Sequence, residues 1–145
     1  MVLTPHMLVG AAIGSQVSNP WLAFCLGLFI HYLIDLLPHW DYLKKFEISN
    51  SKHISKVGLD LIIGGILVLL LTWSEPQKVI IILAAIFGSL LPDFANGIYM
   101  SYKFKWLKHH FLFHNKIHIY KELSFWQGLP FTLLVVIISF YILLL

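Results

Sequence analysis

Apolar positions run almost unbroken through five stretches of the chain: Met7–Val17, Trp21–Leu37, Val57–Trp73, Val79–Leu91 and Leu129–Leu145. The second, third and fifth hold 17 residues each, about 25 Å of helix at about 1.5 Å per residue, which is enough for a short membrane span. The first and fourth are shorter, so their polar ends must enter the bilayer or thin it. Punctuation agrees with five helices. In "TPH", Thr4 is expected to cap the first helix and Pro5 to occupy its first position. "SNP" before Trp21 and "SEPQ" before Lys78 read as turns between antiparallel helices, and Pro38 and Pro92 are expected to close the second and fourth. A sixth segment, "KHHFLFHNKIHIYKE", mixes lysine and histidine with Phe111, Phe113, Ile117 and Tyr120. That is the profile of an amphipathic helix lying in the membrane interface.

Threading five spans through a bilayer puts the loops Asp41–Lys56 and Phe94–Leu123 on one side, with nine of the ten lysines. The positive-inside rule makes that side cytoplasmic, along with the N-terminus, and leaves the C-terminus outside. A shift of 54 residues lays "HMLVGAAI" over "DLIIGGIL" and "LLPHW" over "LLPDF", pairing His6 with Asp60 and His39 with Asp93. The expectation is one membrane-embedded domain, residues 1–145, whose core is a duplicated helical hairpin (1–54 and 55–108) followed by a C-terminal helix, 129–145.

Composition supports the same class. Of 145 residues, 59% are hydrophobic and 12% charged, with a mean hydropathy of +0.81; this is an all-α polytopic membrane protein. The net charge of +3 comes from lysine alone. Without arginine for bidentate phosphate and base contacts, nucleic acid is not the expected partner. The membrane lipid is, with Lys44, Lys45, Lys105 and Lys108 placed to hold anionic headgroups. The single cysteine, Cys25, excludes a disulfide within the chain. The N-terminus lacks the charged start and cleavage pattern of a signal peptide. It is expected to stay on the mature protein, and the expected location is an inner or plasma membrane.

The chemistry sits at the lysine-rich side. All four aspartates, Asp35, Asp41, Asp60 and Asp93, fall at helix ends there, as do His6, His31 and His39. His31 and Asp35 are one turn apart on one helix face. Gly27 lies below His31, Gly10 and Gly14 below His6, and Gly64 below Asp60, so the helices can approach closely and bring these groups together. His110, His114 and His118 share one face of the amphipathic helix, which would cap the pocket. His53 and His109 read as solvated or interfacial, and the five tryptophans as an aromatic belt. Histidine and aspartate without cysteine suit Zn²⁺, Mn²⁺ or Fe²⁺. So many donors exceed one tetrahedral ion, and two or more zinc ions bridged by a carboxylate would use them. Such sites activate water and clamp the oxygens of a phosphoester. The expected ligands are His6, His31, Asp35, His39, Asp60, Asp93, His114 and His118, with His110 as the catalytic acid for a leaving group.

Three functions compete for these residues: a metal-dependent hydrolase, a metal or proton transporter, and a non-catalytic scaffold with a structural metal site. A transporter needs polar groups continuing to the far side, where only Glu75 and Lys78 stand. A structural zinc needs just four ligands.

"TPH" before the first helix, "HYLID" running into "LLP", "GSLLPD" and the histidines of "HNKIH" resemble the membrane-bound metal-dependent hydrolases of bacterial inner membranes. The resemblance implies metal ligands at His6, at Asp93, at His114 with His118, and at His31 with Asp35. A more distant likeness is to zinc-dependent phospholipases C. Here the HxxxD segment precedes "LLPD", Ala95 replaces a second aspartate, and the histidine pair is spaced HxxxH. The resemblance implies a reaction class and no substrate; a phosphoester in a membrane lipid is the substrate expected here.

Overall fold

A computed structural model describes residues 2–43, 45–118 and 123–145; Lys44 and Tyr120 lie outside the described residues. The fold is all-α. Among the described residues six helices follow one another: α1 (Leu3–Gln16), α2 (Pro20–Asp35), α3 (Ser51–Thr72), α4 (Val79–Tyr102), α5 (Lys108–Ile117) and α6 (Phe125–Leu144). Short 3₁₀ turns at Pro76–Lys78 and Lys105–Leu107 lead into α4 and α5.

Among the described residues three segments are long and apolar enough to cross a membrane, fewer than the five expected: Ser51–Thr72, Pro76–Tyr102 and Phe125–Leu144. The shortfall lies in α1 and α2, of 14 and 16 residues. α1 is the central helix, packed against α2, α3, α4 and α6. Its glycines, alanines and Leu8 are buried among other helices, so it is solvated by protein and needs neither the length nor the uniform greasiness of a span. The opposite holds for α3 and α6. Only 17% of the apolar window of each is buried, and α3 presents Leu59, Ile62, Ile66, Leu69 and Leu70 outward. Helices apolar all round but covered on a narrow seam belong in lipid.

Close crossings hold the bundle together. A Cβ on Gly27 would collide with the Ala85 carbonyl, and one on Gly88 with the Phe24 carbonyl, so α2 and α4 touch backbone to backbone. Without a hydrophobic driving force between helices in lipid, such small-residue contacts supply the packing. Leu8, Ala11, Ile82, Ile86 and Leu90 fill the core between α1 and α4.

Several helix boundaries differ from the sequence reading. Pro92 does not close α4, which runs on through it to Tyr102. Proline removes one backbone donor, but packing against α1 and α2 carries the helix past it, as neighbouring helices do within membranes. Asp93 therefore stands inside a helix rather than after one. α3 begins at Ser51, capped by Asn50, which moves Asp60 from the helix start to its third turn. α2 ends at Asp35, ahead of Pro38, and α6 starts at a Ser124–Gln127 capping box.

Candidate metal centre

The start of α1, the end of α2 with the loop after it, the middle of α4 and the length of α5 bring histidines and aspartates to one buried point. His31 and Asp35, one turn apart on α2, place Nε2 and Oδ2 3.1 Å from each other. His114 of α5 enters from above, its Nε2 2.9 Å from that of His31, 3.2 Å from Asp35 Oδ2 and 3.4 Å from Asp93 Oδ1. These four residues offer ligand atoms that all lie within 4.8 Å of one another. Asp35, His39 and His118 form a second such group, with His118 Nε2 3.0 Å from Asp35 Oδ2. Asp35 belongs to both. His6, in the first turns of α1, adds its Nε2 at 3.2 Å from Asp35 Oδ1.

The donor set fits a cation. Ligands bonded tetrahedrally at about 2.0–2.1 Å stand about 3.3 Å from one another, within the spread seen here. Tautomers agree. His31 Nδ1–H donates to the Ser89 carbonyl at 2.7 Å, and His39 Nδ1–H donates to the Leu37 carbonyl at 2.7 Å. A carbonyl only accepts, so each ring presents an Nε2 lone pair to the cluster, the arrangement typical of metal-bound histidine. Ser89 Oγ–H also donates to the His6 carbonyl at 2.9 Å, which fixes α1 against α4 beside the ligands. Buried Nδ1 atoms of His6 and His114 have no hydrogen-bond partner among the described residues.

Electrostatics at the loop side of the cluster follow from burial and the carboxylates. Burial disfavours a charged His114, but hydrogen bonds to Asp35 and Asp93 outweigh it and raise its pKa to about 9. Burial pushes His39 the other way, to about 4, keeping it neutral as a ligand must be. α6 seats this loop: a Cβ on Gly128 would collide with the Trp40 backbone nitrogen.

Of the eight expected ligands, the structure brings seven together: His6, His31, Asp35, His39, Asp93, His114 and His118. Asp60 stands apart with another task. Its carboxylate accepts from the backbone N–H groups of Leu3 at 2.6 Å and Thr4 at 3.2 Å, and from the Thr4 hydroxyl at 2.6 Å. It caps α1 from a neighbouring helix. The structure thereby corrects the reading of Thr4 as N-cap as well: α1 starts at Leu3, and its cap residue Val2 makes no side-chain hydrogen bond. An anion at a helix N-terminus satisfies orphan donors and complements the helix dipole.

His110, the expected acid, accepts or donates at 3.2 Å with the Tyr32 hydroxyl, and its ring lies 5.9 Å from that of His114. A cavity of about 640 Å³ opens in front of the cluster, walled by Asp41, Asp93, His114 and His118 on the ligand side. His110 is not part of that wall. Asp41 is, with its Oδ2 3.9 Å from His118 Nδ1. Beyond the ligands the walls turn apolar, with Phe46, Ile54, Val57, Phe94 and Ile98. Sequence reasoning missed Ser89 and Asn96, which flank Asp93 at one turn on either side of it. The assumed helix end at Pro92 hid them, since i−4 and i+3 partners have meaning only on a continuous helix.

In comparisons with known protein families, curated proteins and solved structures, the chain finds no match.

Proposed function

We propose that the chain is a membrane-bound, metal-dependent hydrolase acting on a phosphoester of a membrane lipid. The observation that carries the reading is the sharing of Asp35 between two ligand groups, three or four donors each, directly behind an open cavity. A structural site closes around four ligands and admits nothing else; this cluster faces a space of the size small-molecule sites have, roughly 300–1,000 Å³. A metal pair bound there would supply Lewis acidity and water activation at neutral pH.

The residues divide the remaining tasks. His6, His31, Asp35, Asp93 and His114 would hold one cation, and Asp35, His39 and His118 a second. Ser89 and Leu37 carbonyls orient the rings. Asp41, at the cavity wall beside His118, takes the place expected of His110 as the group able to exchange a proton with a leaving oxygen. The apolar walls suit an acyl chain, and the likeness of "HYLID", "GSLLPD" and "HNKIH" to inner-membrane hydrolases points to the same reaction class. Zinc suits the donors, with manganese or iron as alternatives. By the lysine distribution the site faces the cytoplasm.

Metal content per chain, by mass spectrometry on detergent-purified protein, tests this first. The wild type is expected to carry two equivalents, and a His31→Ala/Asp35→Ala variant none. Wild-type protein without metal after reconstitution with zinc, manganese or iron would sink the proposal; loaded protein is then assayed for phosphate release from phospholipid vesicles.

A further inference from the structure

The cavity holds one buried polar group that the metal centre does not use. Asn96 lies one turn beyond Asp93 on α4, is 5% exposed, and lines the cavity. Its Oδ1 is buried with no hydrogen-bond partner among the described residues. A leucine has the same branched outline without the desolvation penalty of an unpaired carboxamide oxygen, and the rest of this helix is rich in leucine and isoleucine. A carboxamide so placed calls for a ligand that completes its hydrogen bonds.

We propose that Asn96 reads a hydroxyl on the headgroup of a membrane lipid whose phosphoester lies against Asp93, His114 and His118. This rests on the hydrolase reading for where the phosphoester sits. Three observations favour a hydroxyl on a lipid. A hydroxyl both donates and accepts, so it satisfies the carboxamide whichever way the amide faces, whereas a bare phosphoryl oxygen only accepts. Asn115 of α5 lines the same cavity, and no lysine is among the described lining residues, so away from the ligand side with Asp41 and Asp93 the walls offer neutral hydrogen-bonding groups. Ile54 and Val57 of α3 and Ile98 of α4 continue the cavity as an apolar wall, which matches an acyl chain. Ser101 is engaged elsewhere: its hydroxyl oxygen accepts from the Ile48 N–H at 3.3 Å.

The test compares two lipids of equal charge, phosphatidylglycerol and phosphatidylmethanol, which differ in the headgroup hydroxyls. Binding to detergent-solubilised full-length protein is read by native mass spectrometry, with metal content and thermal midpoint measured on the same samples. Wild type is expected to bind phosphatidylglycerol about fivefold to tenfold more tightly, the size of one net hydrogen bond. Asn96→Leu should abolish that preference. It should leave phosphatidylmethanol binding and metal content unchanged and the thermal midpoint equal or higher, a gain that a structural asparagine would not show. Should Asn96→Leu fail to fold, Asn96→Ala reads the same preference with no added bulk. Glycerol 3-phosphate, with hydroxyls and no tail, should not compete at equal concentration; equal competition would overturn the lipid assignment. Metal-loaded wild type without the preference, or a variant that keeps it, would overturn the role of Asn96 alone. Metal-free wild type that still shows the preference would instead overturn the hydrolase reading alone.

Discussion

At the scale of single residues, Asp35 is the shared member of the centre, and sharing has a stoichiometric consequence. Removing it as Asp35→Ala is expected to empty both groups, whereas His39→Ala should cost one equivalent and leave the other, because His39 contributes to the second group only. Metal analysis of the two purified variants distinguishes them; equal losses would mean that the groups hold a single ion. His114 adds a pH dependence. Without a cation it retains its proton up to about pH 9, held by Asp35 and Asp93 against the cost of burial. A bound cation needs its lone pair, so loading at pH 7 must release that proton. Apparent affinity should therefore rise as pH climbs toward 9 and fall steadily below it. Calorimetry in buffers of different ionisation enthalpy counts the released protons, and a pH-independent affinity between 6 and 9 would contradict the coupling.

Elements impose a second set of constraints. α1 is short, central and polar at its start, and Asp60 of α3 holds that start in place through three hydrogen bonds. Asp60→Asn keeps the shape but removes the negative charge at the helix N-terminus. A loss of roughly 0.5–2 kcal/mol is expected, the range for helix caps, seen as a lower thermal midpoint in detergent. Metal content should stay at the wild-type value, since the carboxylate reaches α1 and not the centre; a drop in stoichiometry would return Asp60 to the ligands. The same capping explains why His6 can serve the site at all. A histidine in the first turns of a frayed helix would wander, and the clamp on Leu3 and Thr4 prevents it. Ser89 acts likewise from α4, bonding α1 through the His6 carbonyl and α2 through the His31 ring.

For the whole molecule, the distribution of apolar surface and charge sets the placement in the bilayer. α3 and α6 turn their exposed leucines and isoleucines outward, while Lys52 and Lys56 lie on the first turns of α3. The orientation expected from this charge has a direct check. In a Cys25→Ser background, Gln77→Cys should react with a membrane-impermeant maleimide added to intact cells, and Lys52→Cys should react only after the cells are opened. The reverse pattern would put the metal centre outside.

Much of this protein is determined locally, and local features are legible in its sequence. Apolar runs mark membrane helices because burial in lipid is read residue by residue. The i, i+4 pair His31 and Asp35 shares a face by helix geometry alone, and the glycines below the ligands announce close approach. What the sequence could not decide depends on which helix lies beside which. Asp60 looks like a ligand from its place at a helix end on the lysine-rich side, yet its neighbour is the open end of α1. Pro92 looks like a stop, yet the helices around α4 carry it onward, and with it Asp93 and Asn96. α1 looks like a short span, yet other helices enclose it. In each case the local sequence permits two uses, and the partner that selects between them is supplied only by the tertiary structure.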